Sequence, residues 1–113
     1  MGNSHKLKKG DIVWCVLHGK DSVQDGIRPC LVLGNKNSLY YSTITQVIPI
    51  SSKIKKTELP VHVVLENVLP QRSVLLTEQV QTVSKNAIKG FITSVGDSVL
   101  DKIKQALLLQ LGF

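Results

Sequence analysis

The apolar residues of this chain come in short runs separated by turn-forming residues, and a helical period appears only at its end. That order restricts the fold more than any other property of the sequence. Asp11–Leu17 (DIVWCVL) is rich in β-formers and reads as a strand. Residues 18–27 carry two glycines and two aspartates and read as a loop. Residues 29–33 (PCLVL) make a second strand, opened by a proline whose missing donor is tolerated there. Residues 34–42 are polar and turn-rich, 43–50 form a third strand, and 51–60 form a loop bearing Lys53, Lys55 and Lys56. Strands follow at 61–65 and, as one long run, at 73–83, with a turn at 67–72 between them. Ser84 caps a helical turn over 85–89, and 90–95 can add a further strand. Finally Val99, Leu100, Ile103, Ala106, Leu107 and Leu111 recur at three- and four-residue steps. This helix is capped by Gly96 or Asp97 and stopped at Gly112. The expectation is a mainly β (α+β) chain: a small, curved or barrel-like antiparallel sheet of five to seven strands, with the C-terminal helix over one opening.

A length of 113 residues suits one domain over 1–113, with 1–9 as a flexible basic tail. No stretch approaches the ~20 apolar residues that span a bilayer, and the basic start lacks the apolar run of a signal peptide. The expected location is the cytoplasm, with no membrane partner. The net charge of +6 favours polyanions, nucleic acid first, against the plainer reading of general solubility. Cys15 and Cys30 lie inside apolar runs without zinc-site spacing and are expected to be buried, reduced and structural.

The sequence has no phosphate-binding glycine loop, zinc-ligand cluster or nucleophile elbow, so no metal or cofactor is expected. What remains are polar residues near strand ends: Ser22, Gln24 and Arg28; Ser51 and Ser52; and Glu78, Gln79 and Thr82 in the long strand. An arginine at a sheet rim can grip a phosphate with its planar fork. Each residue also has an ordinary reading in isolation. Arg28 could close an ion pair with Glu78, and Ser51 could be a turn hydroxyl. His18 and His62 have no reason to meet as an acid–base pair, and His62 is expected as a structural residue on a strand face. Trp14, Tyr40 and Tyr41 are the available stacking platforms, with Trp14 expected in the core.

Four runs, in order and with consistent spacing, resemble a known family. They are KKGDIVW at 8–14, GIRPCLVL at 26–33, VIPISSKIKKTELPVHV at 47–63 and SVLLTEQVQTV at 73–83. The closing residues 101–113 are similar to that family's last helix and its L-G ending, so the likeness runs from residue 8 to 113. The family is MazF/PemK, the mRNA interferase toxins. The resemblance implies an SH3-like barrel that pairs as a homodimer and cuts single-stranded RNA without a metal. It implies a cognate acidic antitoxin laid across the RNA groove, with operator DNA bound only through that antitoxin. It places the catalytic pair at Arg28 and Ser51. RNA contacts would come from Ser22, Gln24, Ser52, Lys53, Lys55, Lys56, Glu78, Gln79 and Thr82.

The implied reaction is attack of the ribose 2′-OH on the adjacent phosphate, giving a 2′,3′-cyclic phosphate and a 5′-OH end. The protein's task is then alignment and charge stabilisation, which a guanidinium and a hydroxyl can supply. Ser51 stands where threonine is usual; it keeps the hydroxyl but loses the β-branch that fixes χ1. Gln81 replaces a common arginine. A different function class stays open on the same fold: a weakly active or non-catalytic homologue that binds RNA, an antitoxin or DNA gyrase.

Overall fold

The computed structural model describes residues 6–20, 23–53 and 59–113, so the expectations for Ser22, Lys55 and Lys56 lie outside the described residues. Among these residues the chain forms seven strands and two helices. They are β1 (Asp11–Leu17), β2 (Gly26–Val32), α1 (Lys36–Tyr41), β3 (Ile44–Ser51), β4 (His62–Leu65), β5 (Ser73–Leu76), β6 (Gln81–Ser84), β7 (Ile88–Ser94) and α2 (Asp97–Leu111). All pairings are antiparallel, in the order β4-β5-β3-β2-β1-β7, with β6 paired to β3 off that path. The sheet curves like a barrel but does not close, because its end strands β4 and β7 do not pair with each other.

Two apolar clusters sandwich the sheet. On one side Ile12, Leu31, Ile48, Ile50 and Leu75 pack under Ile103 and Ala106 of α2. On the other, Val13, Cys15, Leu17, Cys30, Val32 and Val47 meet Leu39 of α1 and Ile88. The period of two along β1 sends Ile12 to one cluster and Val13, Cys15 and Leu17 to the other. α2 starts at Gly96 and ends at Gly112, whose positive φ of 81° lets its N–H reach the carbonyls of Leu108 and Leu109. Leu7 packs against the second cluster, and the Lys8 N–H donates to Asp11 Oδ2 at 3.0 Å. Both cysteines are buried and free. A hydrogen bond from Cys30 and, against the effect of burial, the charge of Lys89 pull the Cys15 thiol below its ordinary value. The same contact with Cys15, together with burial, pushes the Cys30 thiol up.

The structure departs from the sequence reading at three elements. The segment 34–42, read as turn, contains α1. Asn35 accepts the Ser38 N–H at 2.9 Å as N-cap, Leu39 is buried, and Lys85 Nζ donates to the carbonyls of Ser38 and Leu39 at 3.3 and 2.6 Å. The single strand expected over 73–83 is two strands on one edge of β3. β5 pairs Ile50 and Ser51, while β6 pairs Ile44 to Val47. The 3-10 turn Thr77–Gln79 is inserted between them, pinned by the buried Thr77, whose hydroxyl donates to the Val61 carbonyl. Trp14, expected in the core, is 45% exposed. It lies between two register shifts of β1 against β7, and such bulges re-aim side chains. Gly90 is its partner on β7, where an added Cβ would make only an ordinary contact with Trp14 Cδ1 at 3.9 Å.

Candidate functional site

The site begins with two prolines. The β2–β3 ladder runs Val32↔Val47, Leu31↔Ile48, Cys30↔Pro49 and stops there. Neither Pro29 nor Pro49 has an N–H, so the two strands lose donors where the ladder ends. Continuing the same register brings Arg28 opposite Ser51, just beyond the last β2–β3 pair. Both line a groove of about 530 Å³, together with Gln24, Ser52 and Lys53. Trp14, Pro29, Ile50 and Ile92 supply its apolar surface, and Leu69, Pro70, Gln71 and Ser73 close another side.

Arg28 is held by a short chain of contacts. Its Nε–H donates to the Asp25 carbonyl at 2.8 Å. The Asp25 carboxylate accepts the Gly19 N–H at 3.0 Å, and the Gln24 N–H donates to Gln79 Oε1 at 2.9 Å. Gly19 and Asp25, at the two sides of the β1–β2 connection, are therefore bonded to each other, and Gln24 is tied to the 3-10 turn. Gly19 is required by close approach: a Cβ there would collide with the Val23 and Gln24 carbonyls. Among the described residues this is the guanidinium's single hydrogen bond, made by one of its five donors. Ser51 Oγ accepts the Lys53 N–H at 3.2 Å, which orients the hydroxyl and leaves its proton for donation.

The ion pair considered for Arg28 is not formed. Glu78 instead meets His62, with Nε2 and Oε2 2.7 Å apart. Glu78, Gln79 and Thr82 do not line the groove. The first two sit in the 3-10 turn, with Gln79 engaged on the Gln24 backbone, and Thr82 Oγ1 accepts from Gln46 Nε2 at 3.2 Å. His62 is structural in position, with a side chain only 4% exposed. The groove walls contributed by Ile92 and the segment before β5 were not singled out in the sequence, and Trp14, named there as a possible stacking platform, was expected in the core. Trp14 was hidden by its apolar neighbours, and the Pro70-Gln71 pair read only as turn punctuation.

Chemically, the groove offers a guanidinium held by the Asp25 carbonyl, a hydroxyl donor, an ammonium at Lys53 and a half-exposed indole. That set suits a phosphodiester flanked by a planar base. Among the described residues no cluster of three or more histidine, cysteine or acidic side chains could hold a metal ion.

Comparison with known proteins gives a consistent result. Residues 8–111 match the family model described as PemK-like, MazF-like toxin of type II toxin–antitoxin system. A curated relative, Endoribonuclease EndoA of Bacillus subtilis, is 33% identical over 110 residues, covering 94% of this chain and 95% of its own. Among solved structures, MazF from Deinococcus radiodurans superposes with a TM-score of 0.84 at 22% identity, over 97% of this chain and 100% of its own. A mycobacterial endoribonuclease in complex with its cognate antitoxin gives 0.78 at 18% identity, over 93% and 94%. At those identities the two structures speak for the fold.

Proposed function

Because the chain belongs to the family of PemK-like, MazF-like toxins of type II toxin–antitoxin systems, we propose that it is the toxin endoribonuclease of such a module, cleaving single-stranded RNA in the Arg28–Ser51 groove. The observation that carries this reading is that the Arg28 guanidinium, with a single hydrogen bond among the described residues, and the Ser51 hydroxyl line one groove where the β2–β3 ladder ends.

The ribose 2′-oxygen attacks the adjacent phosphorus, the phosphorus–O5′ bond breaks, and a 2′,3′-cyclic phosphate remains. The 2′-OH proton passes to solvent, and the departing O5′ takes a proton to become the 5′-OH. Charge grows on the nonbridging oxygens as the phosphorane forms. Arg28 meets it with parallel N–H donors, already aimed by the Asp25 carbonyl. Ser51 donates to a nonbridging oxygen or to the leaving O5′. Arg28 acts as a charge rather than as a base, since a guanidinium pKa above ~12 keeps it protonated. Ser52 and Lys53 hold a neighbouring phosphate, and Gln24 faces the bases. The route needs no metal, because the guanidinium supplies the positive charge.

The neighbour solved with its antitoxin supports an antitoxin partner for this chain. A basic groove calls for an acidic segment laid along it, and operator DNA would then be reached through the antitoxin. A homodimer is part of the same reading, supported by Leu109, Leu111 and Phe113 exposed at the end of α2. No helix among the described residues is long and apolar enough to cross a membrane, and the proposed work on mRNA belongs in the cytoplasm.

The test is a pair of RNAs that differ only in a 2′-deoxy substitution at the cut position, incubated with purified protein in EDTA. The all-ribose strand should yield 5′-OH and cyclic-phosphate ends, and the substituted strand should stay intact. Equal cutting of both, or cutting that stops when EDTA is added, would refute the route.

A further inference from the structure

At the far end of the sheet from Arg28 lies a second basic cavity, of about 720 Å³, that the reaction does not use. Lys6, Lys8, Lys9 and Lys36 line it with Tyr40 and Tyr41, and among the described residues its lining carries no carboxylate. We propose that this cavity is a second holding site for single-stranded RNA, where Tyr40 and Tyr41 stack bases and the lysines meet the phosphates; the inference rests on the endoribonuclease reading.

The two tyrosines carry the argument. They are 68% and 78% exposed, large rings left in water on a helix of only six residues. Yet α1 is not loose. Asn35 caps its start, Leu39 anchors it in the core, and Lys85 binds the carbonyls of Ser38 and Leu39. The rings are thus presented on a fixed support, edge to face, with centroids 4.7 Å apart. Lys6 Nζ lies over the Tyr40 ring, 6.0 Å from its centroid, so one of the lysines already sits against the platform. A cation-rimmed aromatic platform whose described lining carries no carboxylate matches the stacking-plus-phosphate grip of sequence-tolerant single-strand binders. An acidic peptide would use the lysines but leave both rings without planar partners.

The position gives the site a consequence. β3 runs from the α1 end to Ser51, and eight residues at ~3.3 Å each put roughly 25 Å between the platform and the catalytic groove. A short RNA filling the groove cannot reach the platform, whereas a long one can occupy both and gain by effective concentration.

Two RNAs carrying one cleavable site, about 7 and about 40 nucleotides long, separate the possibilities. In an Arg28→Ala background, which binds without cutting, anisotropy reads the affinity of each RNA before and after Tyr40→Ala/Tyr41→Ala. The tyrosine substitutions should weaken the long RNA about tenfold, the order of one or two lost stacks, and leave the short RNA unchanged. Lys8→Gln/Lys36→Gln should lower the salt slope of long-RNA binding by about 1.4, at ~0.7 per single-strand phosphate contact. In the active protein, KM for the long RNA should rise while kcat on the short one holds. Equal affinities before and after, equal losses on both lengths, or a change in oligomeric mass with RNA binding intact would each overturn the proposal; the last would assign the cavity to a second copy. If wild-type protein cuts neither RNA, the endoribonuclease reading fails, while the binding comparison still decides the second site.

Discussion

Arg28 was legible in the sequence as a cation at a strand end, but its partner was not. The plain alternative, an ion pair with Glu78, failed because Glu78 is taken by His62 across the 3-10 turn, a contact no local pattern announces. Trp14 was misread for a related reason. An alternating strand implies regular facing, and two bulges in β1 break that regularity. Ser51 yields a prediction at this scale. Its hydroxyl is oriented by one backbone N–H at 3.2 Å, with no β-branch to fix χ1. Ser51→Thr should therefore raise kcat several-fold, on the scale of the ~0.5–1.5 kcal/mol attached to an off-rotamer χ1. Ser51→Ala should lower kcat about a hundredfold, as loss of one transition-state donor does. Steady-state kinetics on a short RNA checks both, and equal rates for the wild-type and Ser51→Ala proteins would remove the hydroxyl from the mechanism.

At the scale of elements, the strands and the last helix were readable because period and punctuation agree there. α1 was not, since six residues with a single buried anchor carry too little period to stand out from a turn. The run 73–83 alternates well enough to pass for one strand. Only the tertiary bond from Thr77 to the Val61 carbonyl reveals the break. That break has a use, because it places Gln79 against the backbone of the loop that aims Arg28. Gln79→Ala should reduce kcat about fivefold, in line with the ~1 kcal/mol net worth of one hydrogen bond, with KM nearly unchanged. In an Arg28→Ala background the same substitution should have no further effect on turnover, since it acts through the arginine. An equal loss in both backgrounds would show that the glutamine works elsewhere.

For the whole molecule, the open curved sheet leaves its two basic cavities at the two ends of the strands, with α2 and the two clusters holding the middle. Fold class and the C-terminal helix followed from the sequence. The separation of two basic cavities did not, because it depends on which loops share a pole. The apolar end of α2, with Phe113 90% exposed, needs a cover in water. Sedimentation at micromolar concentration should give roughly twice the 12.4 kDa chain mass. A monomer at that concentration would contradict the proposed homodimer.

The most direct test of the groove is single-turnover cleavage of a short single-stranded RNA by wild-type protein and by Arg28→Ala, with folding of each checked by thermal melting. With the guanidinium removed, the developing phosphorane charge has no fixed cation. The rate should fall by at least about 10²–10³, the loss expected for one transition-state donor. The melting temperature should stay close to wild type, because among the described residues the side chain makes a single hydrogen bond, to the Asp25 carbonyl. Retention of wild-type cleavage by the folded Arg28→Ala protein would contradict the account.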